Sequence, residues 1–149
     1  MAGLYYAADR LYNMPQVNEL LETGSVILDR YVDSNMAHQG SNGKTKEERE
    51  QIYKFFEDLE YGMLGLPKPD IKVLLYMPTE FSKLLKAGRE EVPDEIESDE
   101  EHLKRAERAY LEIADRNNYR IINCVKDGVI RTIEDIQEEL LEYIMEQLQ

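Results

Sequence analysis

Cysteine is almost missing from this sequence, and so are long apolar runs and an adequate supply of positive charge. Cys124 is the single cysteine in 149 residues. It has no partner for an internal disulfide and lies in an apolar stretch, which predicts an inert core thiol and a reduced, cytoplasmic compartment. No apolar run approaches the ~18 residues that a membrane helix requires. Met1 is not followed by the charged, apolar and small-residue succession of a secretory signal. Lysine and arginine number 18 against 31 acidic residues, a net charge of −13, which argues against a sequence-independent grip on nucleic acid or on an anionic membrane. Internal repeats and low-complexity linkers are absent too, so residues 1–149 read as one domain, long enough to bury a sizeable core.

What is present is concentrated in Ser25 to Gly40, SVILDRYVDSNMAHQG. Val26, Ile27 and Leu28 form a short apolar run after Gly24, the pattern of a buried parallel strand. Asp29 and Arg30 follow, an acid and a base delivered together at the C-terminal mouth of that strand, where open α/β sheets put their ligands. Ser34, Asn35, His38 and Gln39 then crowd hydrogen-bonding groups into little more than one helical turn, beside Ala37 and Gly40. The pattern is that of a pocket wall.

Leu4 to Glu22 reads as an amphipathic helix that Pro15 kinks or divides. Ser41 to Lys46 is a polar turn, and Glu47 to Met63 places Ile52, Phe55, Phe56, Leu59 and Met63 on one helical face. LGLPKPD makes a rigid connector. Ile71 to Met77 is a second apolar strand, and Pro78 opens a short helix that carries Lys83 and Lys86 and stops at Gly88. Glu90 to Glu101 holds eight acids and no base. Leu103, Ala106, Tyr110, Ile113 and Ala114 form the stripe of the next helix, and Tyr119 to Val125 is a third strand. Thr132 caps a last helix with Ile133, Ile136, Leu140, Ile144 and Leu148 on its buried face. Strands alternating with helices predict an α/β fold on a parallel sheet.

Five segments in this order carry a family resemblance. YAADR (Tyr6 to Arg10), LDRYVDSNMAHQG (Leu28 to Gly40), GLPKPD (Gly65 to Asp70) with the strand after it, the acidic stretch and AYLEIA (Ala109 to Ala114) together resemble thymidylate kinase over nearly the whole chain. The resemblance implies a nucleoside monophosphate kinase that transfers the γ-phosphoryl of ATP to dTMP, with Mg2+ as cofactor, on the doubly wound sheet of the P-loop nucleotide kinases. It implies a lid at about residues 83–101, and homodimers formed through helices flanking the acceptor pocket.

The resemblance also implies roles for single residues. Tyr6 would stack on thymine and Arg10 would donate to a base carbonyl; four apart on a helix, they share a face. An aromatic face contributes ~1–3 kcal/mol of stacking to a base of any identity, whereas an aromatic met without the motif is more often an ordinary core residue. Arg30 would hold the acceptor phosphate, for which a permanently charged bidentate donor suits better than lysine. Asp29 would face the magnesium ion through water; outside such a strand end, an Asp-Arg pair is usually a surface ion pair. Ser34 belongs to the same pocket wall, and Asn35 and Gln39 would reach the thymine edge. His38 stands where the family usually has tyrosine or phenylalanine beneath the sugar, a departure that puts strict deoxyribose selection in question.

The acidic stretch departs further, since Asp94, Glu95, Ile96 and Glu97 replace the family's Asp-Arg-x-Glu sequence. A glutamate does not stabilise a transferring anionic phosphoryl group. Lys83, Lys86 and Arg89 are the nearby cations, and Arg89 is the choice for that catalytic role; a solvated acidic loop is the plainer account of the acids. The family's phosphate loop, GxxxxGK[ST] between a strand and a helix, is missing as well. GSNGKT at Gly40 to Thr45 is a decoy, because five residues before Gly43 stands His38 and no strand precedes it. The expectation is an incomplete doubly wound sheet of about three strands, with the central phosphate-loop strand absent and its neighbours left with unpaired edges. That predicts a fragment, a truncated reading frame or half of a complemented pair; a compact three-stranded rearrangement is the alternative. Two function classes follow: the acceptor-binding and lid part of a thymidylate kinase, or a non-catalytic nucleotide-binding or dimerising remnant. An acidic protein-interaction or nucleic-acid-mimicking face is a third, carried by composition alone.

Overall fold

The computed structural model describes residues 2–87 and 100–148, the side chains of Lys86 and Ala87 excepted. Arg89 and Asp94 to Glu97 of the expected lid lie outside the described residues. The chain forms two compact units, Met1–Lys68 with Arg108–Ile113, and Pro69–Glu107 with Ala114–Gln149.

The first unit is helical. Helix α1 (Ala2–Leu21) runs through Pro15 as one helix, so of the two expected outcomes Pro15 does not divide it. Proline's φ suits a helix, and Pro15 is exposed, on a side where a carbonyl left without its amide partner is open to water. Residues Val26 to Leu28 are loop instead of the expected buried strand, with Ile27 89% exposed. A strand needs a neighbour for its backbone groups, and the parallel sheet of the described residues is made by two other segments.

Helix α2 (Val32–Gly40) buries Val32, Met36 and Ala37 completely. Helix α3 (Lys46–Glu57) starts at a reciprocal cap in which Thr45 accepts from the Glu48 N–H and Glu48 reaches back to the Thr45 backbone. It passes directly into a π-helical turn, Asp58–Met63. The fully buried face here is Arg49, Tyr53, Phe56 and Glu60; of the expected face Phe56 is buried and Ile52 and Leu59 pack half-buried against the core, whereas Phe55 and Met63 are exposed. Close approach sets this rotation. A Cβ on Gly40 would stand 2.1 Å from Tyr53 Cε1, and one on Gly3 would stand 2.5 Å from Phe56 Cζ, so two glycines admit two rings. The core is Met14, Val32, Met36, Ala37, Tyr53, Phe56 and Leu66, with Ala109 and Ile113 from the middle of helix α5 (Glu100–Arg116).

The second unit carries the sheet. Strands β1 (Val73–Tyr76) and β2 (Arg120–Asn123) pair in parallel, with Val73 opposite Arg120 and Tyr76 opposite Asn123. Of the three expected parallel strands, the one at Val26 to Leu28 is not formed; a short antiparallel hairpin, β3 (Val125–Lys126) and β4 (Val129–Ile130), stands apart as its own sheet. Its two-residue turn, Asp127 (φ 52°) and Gly128 (φ 77°), has both residues in the left-handed region that such hairpins require. Helix α4 (Thr79–Ala87) follows β1. Helix α6 (Ile133–Gln147) is capped by Thr132, as expected. Of its expected buried face, Ile136, Leu140 and Ile144 are half-buried, whereas Ile133 and Leu148 at the two ends are exposed. A two-stranded sheet covers only its middle turns. Cys124 is a free, buried thiol whose ionisation is pushed up by burial. Among the described residues no helix is long and apolar enough to cross a membrane.

Candidate functional site

The site residues of the first unit come from α1, the loop before α2, and α2 itself. Asp29 and Arg30 are both exposed and sit at the end of a loop, not of a strand. Arg30 has φ 70°. For a residue with a Cβ this left-handed conformation costs roughly 1–2 kcal/mol, and such strain clusters at ligand-binding positions. Asp29 is the candidate magnesium-facing acid, and among the described residues no group of three His, Cys, Asp or Glu side chains could hold a metal directly.

Tyr6 is 59% exposed on α1, so it is not a core aromatic. One turn on, Arg10 forms a two-pronged ion pair with Glu60: Nε donates to Oε2 at 2.6 Å and Nη2 to Oε1 at 2.7 Å. The Glu60 side chain is completely buried and that of Arg10 is 17% exposed. Nη1 keeps both of its N–H groups outside this pair.

Asn35 is 4% exposed and joins the same cluster. Its Nδ2 donates to the Gly3 carbonyl at 2.9 Å and to Glu60 Oε1 at 3.0 Å, which engages both amide hydrogens. Its Oδ1 is buried and has no partner. The orientation is fixed by chemistry, because turning the amide over would press Oδ1 against a carbonyl and a carboxylate oxygen. A buried acceptor without a donor costs about 1–3 kcal/mol, so Oδ1 marks a place where an N–H from outside the chain would be welcome.

The rest of α2 packs on Tyr110 of α5. Ser34 Oγ accepts the Tyr110 hydroxyl at 3.0 Å, and the His38 ring meets Tyr110 edge-on at 5.8 Å between centroids. Gln39 is half-buried, with its Cγ close to the space a Gly3 Cβ would fill. Just before α2, Tyr31 donates to the Pro67 carbonyl at 3.2 Å. Asp33 is buried and accepts the Tyr61 hydroxyl at 3.4 Å. Burial, followed by the Asp33 charge, pushes the Tyr61 phenol far above its ordinary range and keeps it a donor.

Glu60 is the residue that sequence reasoning missed. A signal was there: it lies four residues after Phe56 and seven after Tyr53, which makes it an acid on the buried stripe of its helix. The GSNGKT segment, by contrast, has no phosphate cradle. The Lys44 N–H donates to Glu48 at 2.7 Å, the Thr45 hydroxyl accepts from Glu48, and a Cβ on Gly43 would meet Arg49 at 2.6 Å. It is the entry to α3. In the second unit, Lys83 pairs with Glu100 at 2.7 Å, and Lys83 together with Lys104 holds the Glu100 carboxyl down to about 2.

Comparison with known proteins bears on what these parts have in common. The thymidylate kinase family model matches residues 1–139. The chain belongs to the thymidylate kinase family. It is 31% identical over 143 residues to the thymidylate kinase of Limosilactobacillus fermentum, covering 93% of this chain and 64% of that protein. It is 32% identical over 142 residues to a probable thymidylate kinase of Sulfolobus acidocaldarius, covering 92% and 62%. A thymidylate kinase of Exiguobacterium is 30% identical over 149 residues, covering 98% and 66%. The chain thus spans somewhat under two thirds of the length of these thymidylate kinases. Family membership carries the P-loop nucleotide kinase fold class, to which the small parallel sheet flanked by helices conforms.

Proposed function

We propose that this chain supplies the dTMP pocket and the lid region of a thymidylate kinase, the enzyme class that transfers a phosphoryl group from ATP to dTMP to give dTDP and ADP. The observation that carries the proposal is the pairing of a buried, unpartnered Asn35 Oδ1 with free N–H groups on Arg10. One acceptor beside one donor complements the N3–H and a ring carbonyl of thymine. The exposed Tyr6 ring, one turn from Arg10, provides the stacking face. Arg30 receives the acceptor phosphate, and its strained backbone supports a ligand-binding role. Ser34 and Gln39 complete the wall, and His38 lies beneath the sugar.

The protein's contribution is positioning and charge, with no covalent intermediate. Magnesium supplies neutralisation of the phosphate oxygens. A hard cation that keeps most of its waters and takes one or two carboxylates fits a single exposed Asp29 acting through water, and does not require a ready-made cluster. Arg89 is the proposed lid cation. The proposed sheet is an incomplete form of the family's doubly wound one, lacking its central phosphate-loop strand, and the parallel pairing of β1 with β2 supports it. A cytoplasmic setting is supported by the buried free thiol of Cys124. A homodimer is the proposed assembly, supported by the exposed Leu4, Leu11, Leu20 and Leu21 on α1.

Calorimetric titration with dTMP, with and without ATP and magnesium, beside a coupled assay for ADP, tests the proposal. Binding of dTMP that Arg30→Ala abolishes is the expected result. Absence of dTMP binding overturns it.

A further inference from the structure

We infer that Glu60 is a specificity-determining residue, which by fixing the orientation of the Asn35 amide makes the pocket accept 4-oxo pyrimidine monophosphates and reject 4-amino ones. The inference rests on the acceptor-pocket reading above and goes beyond it, because Glu60 itself touches no ligand.

An asparagine amide is symmetric in shape and opposite in polarity at its two ends, so by itself it reads N3–H of thymine or N3 of cytosine equally well. Asn35 is not by itself. Its Nδ2 is held by the Gly3 carbonyl at 2.9 Å and by Glu60 Oε1 at 3.0 Å. Both are acceptors and one is charged, so the flipped amide meets two repulsions in a buried place. The Glu60 carboxylate also takes Nε and Nη2 of Arg10, which fixes the guanidinium plane and leaves Nη1 free to donate. One buried carboxylate therefore sets both halves of the pattern: an acceptor at Asn35 Oδ1 and a donor at Arg10. Thymine and uracil present the complement, an N–H beside a carbonyl. Cytosine presents a ring acceptor and an amino donor, which places acceptor against acceptor and donor against donor.

The π-helical turn explains how an acid reaches this place. Glu60 lies within Asp58–Met63, where the helix widens, and its backbone carbonyl accepts the Leu66 N–H at 3.0 Å. Such turns interrupt regular helices mostly at functional sites.

The test is titration of the full 149-residue chain and its Glu60→Gln variant with dTMP, dUMP and dCMP. In the variant a carboxamide N–H becomes available to a flipped Asn35, so only the Gly3 carbonyl resists the turn. Wild type should prefer dTMP over dCMP by ~100-fold or more, and Glu60→Gln should cut that preference by ~10-fold or more while the dTMP to dUMP ratio stays unchanged. Equal weakening of all three nucleotides means that Glu60 only supports the fold, and overturns the inference. A second measurement needs no variant and no ligand. In 15N-labelled wild type the two Asn35 side-chain amide protons, held by the Gly3 carbonyl and Glu60, should exchange with solvent more slowly than those of an exposed asparagine such as Asn18. Exchange as fast as that of the exposed side chain overturns the inference. A held amide in a chain that binds no dTMP overturns instead the acceptor-pocket reading, and the specificity role falls with it.

Discussion

Arg49 and Glu112, 63 residues apart, meet through two hydrogen bonds, Nε to Oε2 at 2.8 Å and Nη2 to Oε1 at 2.5 Å. The same carboxylate accepts the Tyr53 hydroxyl at 3.0 Å, and Arg49 Nη1 reaches the Gly43 carbonyl at 3.4 Å. One acid from α5 thereby fastens α3 and the loop that follows α2, the helix bearing Ser34, Asn35, His38 and Gln39.

That pair predicts a pH dependence. Hydrogen bonds from Arg49, joined by Tyr53, hold the folded Glu112 carboxyl below the usual carboxylate range despite burial. A folded value below the unfolded one contributes stability that is fully present above the ordinary glutamate value of ~4.3. It is lost as pH falls from there through the lowered value. Urea midpoints followed by circular dichroism from neutral pH to about pH 3 should therefore drop less steeply for Glu112→Gln than for wild type. Parallel curves for the two proteins would rule out this linkage.

Gly40 predicts the cost of disturbing the same packing. An alanine Cβ would stand 2.1 Å from Cε1 of Tyr53, a ring only 2% exposed that has no room to swing away. Gly40→Ala should destabilise by about 1–3 kcal/mol or more, and weaken dTMP binding because α2 must shift. Gly24 has nothing within 4 Å of its Cβ position, so Gly24→Ala should stay within about ±0.5 kcal/mol. Equal urea midpoints for the two variants would contradict the close approach.

What the sequence disclosed depended on where the information lay. Local chemistry was readable: Thr132 caps its helix, and the stripe Ala106, Ile113, Ala114 is buried. The family was readable because its segments keep their order and spacing over residues 1–139. Val26 to Leu28 was not, because an apolar triplet has strand character without a guarantee that a neighbouring strand will pair with it. The face of α3 misled for another reason. Phe55 and Met63 look like core by type, yet which side turns inward is decided by the absence of side chains at Gly3 and Gly40, on other helices. Of the site, Arg10 and Asn35 were legible as residues, whereas the carboxylate that binds them to each other is contributed from 50 and 25 residues away.

Removal of Arg10 should be costly to the fold as well as to binding. Glu60 is completely buried, and without the guanidinium only one of its three hydrogen bonds, that from Asn35, remains. Breaking a buried pair by removing one partner costs about 3–5 kcal/mol. Arg10→Ala should lose that much in chemical unfolding, and Arg10→Ala combined with Glu60→Gln should lose less than the two single losses added together. Additive losses would mean that the pair is not coupled.

Arg30 should show stability and binding moving in opposite directions. At φ 70° an arginine bears a steric cost of about 1–2 kcal/mol that glycine does not. Glycine gives back about 0.5–1 kcal/mol through the greater freedom of the unfolded chain. Arg30→Gly should accordingly stabilise the fold, by up to about 1.5 kcal/mol on these two effects together. The same change removes the charged, bidentate donor proposed for the acceptor phosphate. Hydrogen bonds to charged groups contribute about 1.5–3 kcal/mol each, so dTMP affinity should fall by ~100-fold or more. Arg30→Ala separates the two effects: it keeps the left-handed strain and loses the donor, so it should bind as poorly as Arg30→Gly and fold less stably. Unfolding midpoints and dTMP titrations of the three proteins decide the matter. If Arg30→Gly is no more stable than Arg30→Ala, the backbone at this position is not strained. If either variant retains dTMP affinity, another side chain receives the phosphate.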